Sequence, residues 1–152
     1  MELNRFGVCA ITPHLFDLIR PKDYAATHCD PQVLRASLKQ IVYVGLDYYI
    51  TEGDRLIFQF PHPRIESLTD DAAVVLGSIV HHAYVQGDYA EADVEIADLG
   101  RPLGAKAREA RAPRVRLIKR DTILGLTDLN ARIEEVYAIL RDLASRPKTT
   151  KD

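Results

Sequence analysis

The sequence predicts a single-domain α+β fold in which helices cover one face of a mixed or antiparallel sheet. The 152 residues are 47% hydrophobic, which is enough to form one core. Some runs alternate apolar and polar residues, as half-buried strands do, and others repeat apolar residues three and four apart, as amphipathic helices do. The predicted order over residues 1–145 is strand, helix, helix, strand, strand, helix, strand, strand, helix. Residues 146–152 are polar and predict a disordered tail.

The first part of the chain predicts one strand followed by two helices. Residues 3–11 form an apolar run typical of a strand, and residues 14–19 place apolar side chains at helical spacing. Asp30 and Pro31 predict the start of the second helix, because aspartate is a favourable N-cap and proline is tolerated at the first helical position. The buried face of this helix would comprise Leu34, Leu38 and Ile41.

A hairpin is the clearest local pattern in the chain. Two strand-like runs, residues 41–50 and 55–60, flank the polar turn Glu52-Gly53-Asp54. Glycine tolerates a positive φ and aspartate can accept a hydrogen bond from its own backbone, so this sequence favours a tight turn. The second run repeats its apolar side chains with the period of two that a half-buried strand requires, at Leu56, Phe58 and Phe60.

The helix after the hairpin has a well-marked beginning. Thr69 is a favourable cap, and Asp70 and Asp71 place negative charge at the positive end of the helix dipole. The helix is expected to end before Gly87. Its apolar face is broad and comprises Ala72, Leu76, Ile79, Val80 and Ala83.

Two strands and a final helix complete the prediction. Residues 92–99 alternate apolar and acidic side chains, which predicts an antiparallel or edge strand with one solvated face. Residues 114–124 begin with alternating arginines and predict the last strand. The final helix carries a narrow apolar stripe, which can pack on the sheet or on a second copy in a homodimer. The stripe comprises Leu129, Ile133, Val136, Leu140 and Leu143.

Charge is distributed unevenly although the net charge is only −2. The acidic run, residues 88–98, contains five acids and no base. The basic segment, residues 101–120, contains eight lysines and arginines and a single acid, Glu109. Such a segment either binds an anion or is neutralised by the acidic run, and the sequence supports both interpretations.

The sequence favours a cytoplasmic protein without a membrane span. No apolar run approaches the roughly 20 residues that a membrane helix needs. The N-terminal residues lack the basic and apolar regions of a secretion signal. Cys9 and Cys29 are the only cysteines and are not spaced as a metal or redox motif, so we expect reduced thiols.

The hairpin resembles a motif of the palm-like core shared by class III nucleotide cyclases and GGDEF-type cyclases. Residues 50–60 read Ile-Thr-Glu-Gly-Asp-Arg-Leu-Ile-Phe-Gln-Phe, which is similar to the cyclase hairpin, and residues 70–73 resemble the start of the following cyclase helix. The resemblance implies a palm or ferredoxin-like sheet and a metal-binding role for Asp54, with Mg²⁺ or Mn²⁺ and a nucleotide. The first predicted strand has no carboxylate at residues 6–12, so the second metal aspartate of that family is missing.

These observations lead to three functional hypotheses. The first is a small, non-catalytic binding module that engages a nucleotide-like anionic ligand or a partner protein. The second is a divergent nucleotide cyclase or nucleotidyltransferase of the palm type. The third is an inhibitor of the immunity or antitoxin kind that uses an acidic surface. The candidate ligand-binding residues are Glu52 and Asp54 at the metal end and Arg114, Arg116 and Arg120 on phosphates.

Overall fold

The computed structural model describes residues 24–35, 41–64, 66–102, 104, 106 and 112–145. The strand predicted over residues 3–11, the helix predicted over residues 14–19 and the tail lie outside these described residues. Where the structure is described, it contains strands of two sheets and two long helices, and the predicted α+β class is confirmed. No helix in these ranges is both long and apolar enough to cross a membrane.

The elements follow one another in a simple order. The strands are β1 (Ala25–His28), β2 (Gln32–Arg35), β3 (Ile41–Val44), β4 (Tyr48–Glu52), β5 (Arg55–His62), β6 (Asp93–Asp98) and β7 (Arg114–Ile118). The helices are α1 (Asp70–Tyr84) and α2 (Leu126–Ser145). Short 3-10 turns cover Gly87–Tyr89 and Arg120–Thr122. The five-stranded sheet has the order β1-β4-β5-β6-β7, and β2 and β3 form a separate two-stranded sheet.

The predicted hairpin is confirmed as β4 and β5. The two strands pair antiparallel, with Glu52 opposite Arg55 and Ile50 opposite Ile57. Gly53 has a φ of 60°, a value that L side chains rarely adopt, so glycine suits this turn. β5 extends beyond the residues that pair with β4 and includes Pro61, where the missing N–H does not interrupt the ladder between these two strands.

The helix after the hairpin is confirmed, and it makes the connection between two parallel strands. The Thr69 side chain caps α1 by accepting a hydrogen bond from the Ala72 N–H at 3.1 Å. β5 and β6 lie side by side and parallel, with α1 crossing between them. β6 also pairs antiparallel with β7, so it is an interior strand. The predicted antiparallel pairing is thus present with β7, but the predicted solvated face is wrong, because residues 94–98 are all buried, including the acids Glu95 and Asp98.

The prediction of a helix that starts at Asp30 is also wrong. The chain instead forms β2 and β3, which pair antiparallel with Leu34 opposite Val42. Leu34 and Val44 are buried and Val42 is partly buried, so the period of two describes this segment better than the period of 3.6. Pairing of β2 with β3 and burial of Leu34 and Val44 outweigh the local capping signal at Asp30.

The long strand predicted over residues 41–50 is divided into β3 and β4. Between them the backbone bends, and the Tyr84 side chain of α1 bonds to both sides of the bend. Its hydroxyl donates to the Val44 carbonyl at 2.8 Å and accepts from the Leu46 N–H at 3.0 Å. A long-range contact therefore satisfies the backbone groups that the interrupted strand leaves without a ladder partner.

Helix α1 packs on one face of the five-stranded sheet, and the beginning of α2 packs against α1. Their buried side chains form one hydrophobic cluster with side chains of β5, β6 and β7. The members contributed by these elements include Phe58, Val80, Ile96, Ile118, Leu129 and Ile133. The prediction that helices cover one face is thus confirmed for the described elements.

We predict that Gly100→Ala destabilises the fold. A Cβ at this buried position would overlap the backbone nitrogen of Ser67 and would lie 2.7 Å from the Ser67 Cα. Backbone atoms cannot move aside as a side chain can, so we expect a loss of about 1–3 kcal/mol or more in the free energy of unfolding. Urea denaturation measures it. Gly45→Ala is the matched control, because nothing lies within 4 Å of its added Cβ, and a control loss as large as the Gly100 loss would contradict the prediction.

Candidate functional site

Two of the three arginines predicted to bind phosphate surround a buried carboxylate of the chain itself. Arg116 Nη2 donates to Asp98 Oδ2 at 3.0 Å, and Arg114 Nε lies 3.5 Å from the same oxygen. The Asp98 side chain is completely buried, and only 12% of the Arg116 side chain is exposed. Strand register explains the contact, because β6 and β7 place Asp98 opposite Arg114, on the same sheet face as Arg116.

Backbone groups complete the surroundings of Asp98. Its Oδ2 accepts from the Leu68 N–H at 3.2 Å, and its Oδ1 accepts from the Gly100 N–H at 3.1 Å. Arg116 also donates to the Leu68 carbonyl at 2.6 Å and to the Asp70 carboxylate at 2.9 Å. The cluster thus ties β6, β7 and the segment that leads into α1 to one another, and Asp98 and Arg116 have a clear role in the fold.

We predict a large stability loss for Asp98→Asn. Removing the charge leaves the guanidinium of Arg116 buried without its main counter-ion, and breaking a buried pair in this way costs about 3–5 kcal/mol. Urea denaturation measures the change. Asp70→Asn removes the fully exposed partner of the same arginine and should cost much less. Equal losses for the two variants would contradict the prediction.

The predicted metal end of the site lies at the other end of the sheet. Asp54 is exposed at the hairpin turn, beside the beginning of β5. β5 and β6 are parallel, and β7 runs against β6, so Arg114 lies beside the end of β6 and far along the strands from the turn. The structure therefore brings Arg114 and Arg116 together but separates them from Glu52 and Asp54.

Glu52 belongs to a second ion-pair network, which sequence reasoning missed. Arg55 Nη1 donates to Glu52 at 3.0 Å and Nη2 donates to Asp93 at 2.8 Å, while Glu95 lies 3.6 Å from Nη2. Glu95 is buried and also accepts from the Gln59 amide at 3.2 Å. The hydrogen bond to Asp93 is the main reason that the pKa of Arg55 is raised. The parallel pairing of β5 with β6 creates this network, and no local pattern announces such a pairing.

The third predicted arginine also has an acidic neighbour. Arg120 Nη1 lies 3.3 Å from a carboxylate oxygen of Glu91, and both side chains are well exposed. The acidic run and the basic segment are therefore joined at Asp98 and at Glu91. Across the described residues, no group of three or more His, Cys, Asp or Glu side chains could hold a metal ion, and the metal role of Asp54 stays a prediction.

A large part of α2 is exposed although it is apolar. Leu129 and Ile133 at its beginning are buried in the hydrophobic cluster. Further along the same helix, four large apolar side chains are more than half exposed, namely Val136 (53%), Ile139 (59%), Leu140 (52%) and Leu143 (54%). They lie at the i, i+3, i+4 and i+7 positions and so occupy one face of α2, which we call the open face. The sequence predicted the stripe, and the structure shows which half of it is covered.

His81 and His82 lie next to each other near the end of α1, and both are partly buried. His82 Nε2 donates to the Leu124 carbonyl at 2.8 Å, which ties α1 to the segment before α2. The pKa of His81 is lowered, chiefly because burial disfavours the charged imidazolium and also because His82 and Arg120 are close.

We predict that His81 makes the fold sensitive to mild acid. Its pKa in the folded chain lies below the ordinary value of 6.5, so the unfolded chain takes up a proton more readily. Its contribution to stability is therefore complete above that pH and declines as the pH falls toward the folded-state pKa. When the pH is lowered from 7.5 to 5, the free energy of unfolding should fall by less for His81→Gln than for the wild type. Urea titrations at the two pH values measure this change. An equal fall for the two proteins would show that His81 does not contribute to the pH dependence of stability.

Comparison of the chain with protein-family models, with curated proteins and with solved structures finds no match. The likeness of the hairpin to the cyclase motif therefore stays a prediction.

Proposed function

We propose that the protein is a small, non-catalytic binding module of the cytoplasm that acts through contact with protein. The observation that carries the proposal is the open face of α2, defined by Val136, Ile139, Leu140 and Leu143, each more than half exposed. A contiguous apolar surface of this kind is characteristic of a protein interface. The free thiol of Cys29 agrees with a reducing compartment.

The ion pairs of the basic segment give less support to an anionic ligand. Arg116 is nearly buried against Asp98 and also contacts Asp70, and Arg120 lies beside Glu91. A phosphate group would have to compete with these carboxylates for the guanidinium groups. Between the two ligand classes expected from the sequence, a partner protein is the one that the exposed surface favours.

We further propose that the partner on the open face is a second copy of the chain, in an antiparallel arrangement. The first part of α2, residues 126–138, carries a net charge of −2, and its last part, residues 139–145, carries no net charge. Antiparallel pairing of two copies keeps the two acidic parts of α2 apart, whereas parallel pairing would set these like charges side by side. It also sets the apolar positions around Leu140 of the two copies against each other.

The size of the open face predicts a weak dimer. Covering the exposed half of a Val, Leu or Ile side chain contributes about 1 kcal/mol, so the eight side chains of two copies contribute about 8 kcal/mol. Loss of translational and rotational freedom costs about 4 kcal/mol or more. The difference corresponds to a dissociation constant of about 1 mM.

We predict that Leu140→Glu abolishes self-association. Sedimentation equilibrium of the wild type from 10 µM to 1 mM should show a growing share of dimer, and the variant should stay monomeric because a carboxylate cannot be desolvated at the centre of the interface. Ala138→Glu is the matched control. It adds the same charge to an exposed position on the opposite side of α2 and should leave the dimer intact.

Two results would contradict this proposal. One is a wild-type chain that keeps the monomer mass up to 1 mM. The other is a dimer that both glutamate variants weaken equally, since this would assign the effect to charge alone. Circular dichroism of each variant checks that α2 remains helical.

A further inference from the structure

We propose that a cavity beside the C-terminal end of α1 binds a small organic cation, namely an ammonium ion that carries alkyl groups. The cavity has a volume of about 370 Å³, which lies within the range of small-molecule sites. It lies on a different element from the open face of α2 and is independent of the proposed dimer. Three features of its walls determine the class of ligand.

The first feature is aromatic. Phe58, Tyr84 and Tyr89 all border the cavity. The ring centroid of Phe58 lies 5.0 Å from the ring centroid of Tyr84 and 5.6 Å from that of Tyr89, so the three rings form one cluster. The negative face of an aromatic ring attracts a cation whose centre lies within about 6 Å.

The second feature is that two of these rings are held in place by other contacts. Both hydrogen bonds of the Tyr84 hydroxyl go to the backbone at Val44 and Leu46, which fixes the phenol without using a ligand. Tyr89 packs against Tyr49 with a centroid distance of 5.6 Å. A site whose rings are fixed before binding loses little side-chain entropy when a ligand enters.

The third feature is the sign of the charge around the cavity. Asp30 borders it, and no lysine or arginine is present among the described lining residues, whose one basic side chain is that of the exposed His28. The pKa of the Cys29 thiol in the cavity wall is raised by burial and, in addition, by the negative charges of Asp30 and Asp47. The negative electrostatic potential around the cavity favours a cation and disfavours a phosphate or a carboxylate.

Together the rings and the carboxylate match the chemistry of an alkylammonium ion. Its methyl groups pack on the exposed ring of Tyr89, behind which Phe58 and Tyr84 are buried. Its positive charge is attracted by the ring face, and Asp30 supplies the counter-charge. A bare metal ion fits less well, because the aromatic walls offer few oxygen ligands. An apolar neutral ligand would fill the same volume but would gain nothing from Asp30.

An NMR titration with choline tests this proposal, and 3,3-dimethylbutan-1-ol is the matched probe because a carbon atom replaces the charged nitrogen. We expect choline to shift the backbone amide signals of Cys29 and Tyr89 and to bind roughly tenfold or more tightly than the neutral alcohol. Equal affinities, no shift with choline up to 100 mM, or tighter binding of inorganic phosphate or adenosine monophosphate would each overturn the proposal.

Two substitutions locate the binding determinants. Asp30→Asn removes the counter-charge and Tyr89→Leu removes an exposed ring, and each should weaken choline binding about fivefold or more. Asp71→Asn is the control. It removes one negative charge at the other end of α1, roughly 20 Å away along the 15-residue helix, and should leave the affinity unchanged. If Asp71→Asn weakens binding as much as Asp30→Asn, the attraction is due to net charge and the assigned site is wrong.

Discussion

The buried ion pair between Asp98 and Arg116 is the constraint on which much of the fold depends. A carboxylate removed from water loses several kcal/mol of hydration, and the loss is offset only when charges and hydrogen-bond donors surround it closely. Here a guanidinium and the N–H groups of Leu68 and Gly100 do so. These donors come from β7, from the segment before α1 and from the chain just after β6. A shift of any one of them would leave the charge uncompensated, so the pair fixes how the sheet, the crossover connection and the start of α1 meet.

The same ion pair bears on the question of what neutralises the basic segment, residues 101–120. As a run of charges along the sequence, it allowed two interpretations, namely binding of an anion and neutralisation by the acidic run. In the folded chain, Arg116 lies against Asp98 and Arg120 lies beside Glu91, so the acidic run supplies charge that an external anion would otherwise provide. The open face of α2 is apolar, and the described lining of the cavity includes aromatic rings and the carboxylate of Asp30. We therefore propose protein contact and a cationic ligand, neither of which is the anion that the basic segment alone would attract.

Tyr84 shows how stability and a binding surface can share one residue. Its hydroxyl satisfies the Val44 carbonyl and the Leu46 N–H where the backbone leaves one sheet for the other. Its ring lies against Phe58 in the hydrophobic cluster and also borders the cavity. The same hydrogen bonds that hold the bend thus hold a wall of the cavity. A rigid wall of this kind is what a site for a small ligand needs, because little order must be gained on binding.

The sequence by itself determined the elements whose signals are local. The turn at Gly53, the cap at Thr69 and the apolar repeats of α1 and α2 depend on neighbours within one or two turns of chain, and all four are present in the structure. Only the tertiary structure decided that residues 32–35 form a strand, that β5 and β6 pair in parallel, and that Asp98 is buried. Those outcomes depend on residues far apart in the chain, where burial and pairing outweigh local preference. The separation of Asp54 from Arg116 has the same cause, since strand order decides which ends of the sheet come together.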